Sequence, residues 1–226
     1  MRSSSTTKKC PAENPAVGTL RAIRKFIIPL APPVFALEKS MRATPFKILI
    51  SVLLSSRTKD AVTGKASSRL FAVADTPGKM RQLTASQVGR LIYPAGFYRT
   101  KAENILKISA ILEQRGEFPE SQAELLALPG IGRKSANLVQ ALAFAKPAIA
   151  VDTHVFRIAR RLHWARGNSP AVVEKELMEL FPRRYWTRVN QTLVGFGQTI
   201  CRPVHPKCPE CVLQKTCPSS TVTSDE

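Results

Sequence analysis

An all-α fold is what the sequence predicts, on three observations. Helix-start signals recur along the chain, apolar residues fall three and four positions apart, and the apolar–polar alternation of a half-buried strand is hardly found. The chain has 226 residues and 44% hydrophobic content, enough to bury the core of one large domain or two small ones. Residues 1–14 are rich in Ser, Thr and Lys, and 219–226 are polar and mildly acidic. Neither stretch can bury enough apolar surface to order itself, so both are expected to be disordered tails.

Between the tails the elements follow in order. In TPFKILISVLLSS, Thr44 can cap, Pro45 takes the first helical position, and the apolar run after it predicts a buried helix. KDAVTGKASSRLFAVA keeps helical spacing, and Thr76 with Pro77 restarts the pattern. Thr84 and Gln87 form a capping box, with Gly96 as the expected stop. TKAENILKISAILEQRG is an amphipathic helix ending near Gly116, and Ser121 with Glu124 opens the next. Three further segments, THVFRIARRLHWA, SPAVVEKELMELF and RYWTRVNQTLVGFGQTI, carry the same periodicity. The expected total is about ten helices.

Charge narrows the choice of partner. Lys plus Arg number 34 against 16 for Asp plus Glu, a formal net charge of +18 and a pI near 10.3. That excess favours a polyanion, with nucleic acid first, over a basic surface that serves only solubility. A membrane role is not expected: the basic residues are spread along the chain, and no apolar run approaches the roughly 20 residues a bilayer span needs. MRSSSTTKKCPAEN also lacks the apolar centre of a signal peptide. The chain therefore reads as a soluble intracellular protein.

Four of the five cysteines crowd into CRPVHPKCPECVLQKTC. Cys201, Cys208, Cys211 and Cys217 are spaced C-x6-C-x2-C-x5-C, which suits a tetrahedral zinc ion or a cubane iron–sulfur cluster better than two disulfides in a reducing compartment. One close pair instead of two tilts the choice toward the cluster. Cys10 lies outside the set and is expected to be free.

LPGIGRKSANLVQALAF, residues 128–144, turns sharply at PGIG and restarts a helix near Arg133. Gly130 and Gly132 leave backbone N–H groups bare at a helix N-terminus, where dipole and unpaired donors favour an anion such as phosphate. The alternative is an ordinary corner in which glycine only relieves crowding. Lys134 falls in the first turn of that helix, where a cation is poorly placed, and only a neutral lysine can act as a nucleophile. A solvated phosphate contact is the other reading of Lys134. In AIAVDTHVFRIARR, Asp152 is a good N-cap whose carboxylate can also stabilise positive charge on a substrate. His154 reads as a packing or hydrogen-bonding histidine.

Taken together, LPGIGRKSAN, VDTHVFR and the four-cysteine spacing resemble the endonuclease III family of DNA glycosylases, within the helix-hairpin-helix glycosylase superfamily, over about residues 18–218. The resemblance implies two helical domains with the DNA cleft between them. One is a six-helix barrel over 38–146 with the helix-hairpin-helix near 122–144; the other joins 15–37 to 147–218 and carries a [4Fe-4S] cluster on Cys201, Cys208, Cys211 and Cys217. It further implies base-excision repair of oxidised pyrimidines by a monomer on double-stranded DNA. Lys134 would be the nucleophile that forms a Schiff base and permits β-elimination at the abasic site, and Asp152 its carboxylate partner. LLSSRTKD and GFYRTKAENI resemble the loops that enter the duplex, which makes Arg57 and Phe97 the plug and the wedge, with Gly130 and Gly132 on the phosphates. Where the family usually has glutamine, this chain has Arg57. A monofunctional mismatch glycosylase and a non-catalytic DNA-binding module with a structural metal are the rival readings.

Overall fold

The computed structural model describes residues 14–41 and 44–222, and within residues 38–41 the backbone alone. Cys10 and both extreme ends lie outside them. Among the described residues there are twelve α-helices and no strand. They are α1 (Pro15–Ile27), α2 (Pro33–Met41), α3 (Pro45–Ser55), α4 (Asp60–Val73), α5 (Pro77–Arg81), α6 (Ala85–Ile92), α7 (Tyr98–Arg115), α8 (Gln122–Leu126), α9 (Arg133–Phe144), α10 (Thr153–Arg161), α11 (Pro170–Leu180) and α12 (Trp186–Thr199).

Local chemistry sets most of the starts. Thr44, Thr76 and Ser169 each accept a backbone N–H in the first turn, of Lys47, Lys79 and Val172, with proline at the first helical position. Both capping boxes form, Thr84 with Gln87 and Ser121 with Glu124. Gly116 ends α7 in the left-handed conformation, φ 72°. One stop differs from expectation. Helix α6 ends at Ile92, before Gly96, and the segment from Tyr93 to Phe97 is a turn leading into α7.

The buried apolar residues form two clusters. The first is built on α3 to α9 with Leu37 of α2, and α3 lies at its centre with Phe46 and Ile48 to Leu54 all buried. The second gathers α1, Val34 of α2 and the chain from Ile149 to Leu213. Each fully buried Leu, Ile or Val contributes roughly 1.5–3 kcal/mol of apolar transfer, so neither cluster is a marginal satellite of the other. Helix α2 packs on both α4 and α12 and so joins the two.

Asn14 and Ser219, which the composition assigns to the tails, are both held by hydrogen bonds. Asn14 caps α1, accepting from Ala16 N and donating to Leu180 O at 2.7 Å. At the other end the Ser219 hydroxyl donates to Arg161 O, 2.9 Å, a carbonyl at the C-terminus of α10 with no helical partner of its own. Hydrogen bonds to distant segments therefore fix residues that composition alone assigns to solvent.

Candidate active site and cysteine cavity

Between the two clusters lies a cleft of about 400 Å³. Lys134, Leu138 and Leu142 of α9 line one wall, Asp152 and His154 another, and Asn190, Val194 and Gln198 of α12 a third. The stretch from Ser55 to Thr58, with Arg57 on it, closes the mouth. Lys134 and Asp152, expected from separate motifs, thus face one space.

Their relative placement comes from two buried asparagines. The last stretch before Asp152 belongs to no helix, so its backbone groups need partners elsewhere. Asn137, one turn beyond Lys134 on α9, donates to Ile149 O at 2.9 Å, and its own carbonyl accepts from Gln122. Asn190 of α12 donates to Ala150 O at 2.7 Å. Asp152 then caps α10, accepting from Val155 N at 2.8 Å. The same carboxylate therefore holds a helix start and faces the cleft.

Further links cross between the clusters. Arg133, beside Lys134, meets the buried Glu174 of α11 through two parallel bonds, Nε to Oε2 at 2.8 Å and Nη2 to Oε1 at 2.9 Å. That carboxylate raises the Arg133 pKa above its ordinary value, so the guanidinium stays charged. Gln198 donates to Asp60 Oδ2 at 2.7 Å and accepts from Val34 N at 3.1 Å.

His154 sits against Arg157, Nη2 to Nδ1 at 3.2 Å. A guanidinium has no acceptor, so Nδ1 accepts and the ring proton lies on Nε2. Burial lowers the His154 pKa. Any side chain at Gly197 would collide with this ring. His154 is thus a packed, hydrogen-bonded histidine, as its position suggests.

The hairpin glycines differ from one another. Gly130 holds φ +79°, and a Cβ there would stand 2.5 Å from Asn104 Nδ2 and 3.1 Å from Leu53 Cδ1. At Gly132, φ is −95° and nothing lies within 4 Å of a Cβ. The first glycine is dictated by the fold; the second is not.

Arg57 and Phe97 come together on the rim. The Arg57 guanidinium lies over the Phe97 ring, 5.5 Å from its centroid, and Phe97 is 62% exposed. Both are left-handed, φ 51° and 57°. Arg57 lines the cleft and Phe97 stands outside it.

A separate cavity of about 190 Å³ is lined by Cys201, Cys208, Cys211 and Cys217 together with Arg161, Phe196, Ile200 and Leu213. No three His, Cys, Asp or Glu side chains among the described residues converge tightly enough to hold one metal ion. Two sulfurs already accept hydrogen bonds, Cys201 from Arg161 Nη1 and Cys211 from Leu213 N, both at 3.3 Å. Burial raises the thiol pKa of Cys211 and Cys217, and the neighbouring sulfurs add to it, so thiolates at these two positions call for a compensating cation. The set fits a thiolate-bound group that fills the cavity. Helix α10 connects the two places: Asp152 and His154 face the cleft, whereas Arg157 donates to Cys201 O at 2.8 Å and Arg161 to Arg202 O at 2.7 Å.

The chain is similar to known DNA repair proteins. Residues 50–183 match the family described as HhH-GPD superfamily base excision DNA repair protein. Endonuclease III of Thermotoga maritima is 46% identical over 175 residues, 76% of this chain and 82% of that protein. Endonuclease III-like protein 1 of Mus musculus is 47% identical over 186 residues, 80% of this chain but only 62% of the mouse protein, so the chain spans less than two thirds of that longer relative. Among solved structures, a trapped endonuclease III–DNA covalent intermediate, an estranged-adenine complex, superposes with a TM-score of 0.81 at 35% identity, covering 93% of this chain and 97% of that one. The all-helical fold, the family match and these similarities agree: the chain belongs to the HhH-GPD superfamily of base excision DNA repair proteins and, within it, to the endonuclease III family.

Proposed function

We infer that this endonuclease III family member is a bifunctional DNA glycosylase and AP lyase that removes oxidised pyrimidines from double-stranded DNA as a monomer. One observation carries the assignment of roles: Lys134 and Asp152 reach one cleft from different elements, with basic and aromatic side chains at its mouth. A volume of about 400 Å³ falls within the roughly 300–1,000 Å³ of ligand pockets and suits one extruded base.

In the proposed reaction the neutral Lys134 amine attacks C1′ of the flipped nucleotide. A C–N bond forms, the glycosidic bond breaks, and its electron pair leaves with the base. Asp152 stabilises positive charge on the sugar and accepts the proton released from the attacking amine. Opening of the sugar ring gives the Schiff base. Loss of a C2′ proton then expels the 3′ phosphate by β-elimination, and water releases Lys134. The hairpin amides at Gly130 and Gly132 bind backbone phosphate, Phe97 wedges into the stack, and Arg57 fills the space left by the base.

The two apolar clusters correspond in this proposal to the barrel domain, 38–146, and the domain of 15–37 with 147–218. Leu37 packs with the first cluster, so the boundary falls within α2. Cys201, Cys208, Cys211 and Cys217 would hold a [4Fe-4S] cluster, which when bound cross-links residues 201–217 by iron–thiolate bonds and takes no part in the steps above. Arg161 and Leu213 N would donate to its sulfur ligands.

Duplexes carrying one oxidised pyrimidine or one abasic site test the reading. A bifunctional enzyme nicks both. Base release without nicking would mark a monofunctional glycosylase, and binding without either would mark a non-catalytic module. Affinity should also fall with salt, with a slope near −0.9 per phosphate contact on duplex DNA.

A further inference from the structure

Lys101, at the end of the first turn of α7, is only 5% exposed. Its three ammonium donors reach three oxygens of one short stretch: Leu54 O at 2.8 Å, Ser56 O at 2.6 Å and Thr58 Oγ1 at 2.9 Å. That stretch is the C-terminus of α3 and the turn after it, where carbonyls lack helical partners and the dipole favours a cation. Thr58 Oγ1 also accepts from Gly96 N at 3.1 Å, so one hydroxyl joins the two segments. Gly96 lies so close to Arg57 O that a Cβ at position 96 could not be accommodated. On the α7 side, Lys101 N donates to Phe97 O at 3.0 Å.

Arg57 and Phe97, both left-handed, stand directly on this knot. Such backbone costs of order 1 kcal/mol or more for each non-glycine residue and persists only where the surroundings enforce it. Burying an ammonium is costly too, and burial pushes the Lys101 pKa down to about 8. A methionine of similar length would fill the site without that cost, but it could not satisfy the three oxygens.

We propose that Lys101 is a positioning residue for the DNA rim: its ammonium binds the C-terminal turn of α3 to the start of α7, so that Arg57 and Phe97 are presented together at the mouth of the Lys134–Asp152 cleft. The proposal rests on the reading that Arg57 and Phe97 enter the duplex. Lys101 acts through them and touches no reacting atom.

Single-turnover nicking separates the two levels. A paired duplex needs the wedge and plug, whereas an abasic site in single-stranded DNA needs neither. Lys101→Met should slow the paired duplex by about 10- to 100-fold, the scale of a loss from misplacement by about 1 Å, and leave the single-stranded substrate near wild type. Arg57→Ala and Phe97→Ala, run alongside on the duplex, should slow it as well. If those two slow the duplex and Lys101→Met does not, the proposal is overturned and the reading of the rim stands. If those two leave the duplex rate unchanged, the reading of the rim fails, and the proposal with it. Equal slowing of both substrates by Lys101→Met would mean a purely structural lysine and would also overturn it. Should Lys101→Met melt before assay temperature, Thr58→Val carries the test, since it removes only the shared hydroxyl: selective loss on the duplex supports the proposal, and no loss overturns it.

Discussion

Alanine at Gly130 and alanine at Gly132 should have opposite consequences. At Gly130 the left-handed φ of +79° costs an L-residue about 1–2 kcal/mol. The new methyl would lie 2.5 Å from Asn104 Nδ2 and 3.1 Å from Leu53 Cδ1, and overpacking of that kind adds about 1–3 kcal/mol. The sum, about 2–5 kcal/mol, should lower Tm by roughly 4–20 °C, at about 2–4 °C per kcal/mol for a domain of this size. Gly132→Ala meets no neighbour within 4 Å and has φ −95°, so Tm should hold or rise slightly, through about 0.4–1 kcal/mol of lost unfolded-state entropy. Yet its methyl would stand where a phosphate approaches the first amides of α9. Losing one charge-assisted bond of about 1.5–3 kcal/mol should weaken DNA affinity about 10- to 100-fold. Thermal melting with fluorescence anisotropy on a lesion duplex, at one fixed salt concentration, reads both. A Gly130→Ala melt matching wild type would refute the conformational reasoning, and wild-type affinity for Gly132→Ala would refute the phosphate clamp.

Three other outcomes are expected. The purified protein should hold about four irons, with a cluster absorption band. Cys208→Ser should lower Tm and iron content before it changes the rate per folded molecule, and stoichiometric zinc without iron from cluster-competent cells would overturn this. Arg57→Gln should reduce any preference for lesions opposite guanine, since a guanidinium can meet O6 and N7 together for about 1–3 kcal/mol; an unchanged ranking over the four opposite bases would leave Arg57 a phosphate contact. Burial holds the His154 pKa below its ordinary 6.5, so on acidification the unfolded chain takes up this proton before the folded one does. Wild type should therefore lose stability as pH falls below 6.5, and lose more than His154→Gln; identical melting curves across that range would count against a neutral, half-buried imidazole.

Features that rest on local chemistry were legible in the sequence. Thr76, Thr84, Ser121 and Asp152 cap helices because a short side-chain oxygen can reach an amide two or three residues on, which any window of the chain reveals. The four cysteines were equally plain from their spacing. What could not be read depends on segments far apart in the chain. Asn137 is an ordinary polar residue in RKSAN until Ile149 O meets it, and Lys101 is one lysine among many until α3 ends above it. Nothing in the helical pattern marks Asn137, whose neighbours three and four positions away are Arg133, Lys134, Gln140 and Ala141. Gly96 was read as a helix stop, yet it is small because Arg57 O passes against it. The start of α1 at Asn14 shows the same limit, since part of its anchoring is Leu180 O, 166 residues away.

Borohydride trapping tests the central claim most directly, because it reduces a Schiff base to a stable amine and locks the protein to DNA. Wild type should give a covalent complex on duplexes containing an oxidised pyrimidine or an abasic site, with the link mapped to Lys134. Lys134→Gln should give no complex, no base release and no nick, while Asp152→Asn should bind DNA near wild type and be trapped far more slowly. A wild-type protein that is not trapped, or a Lys134→Gln protein that is, would contradict the assignment of Lys134 as the nucleophile.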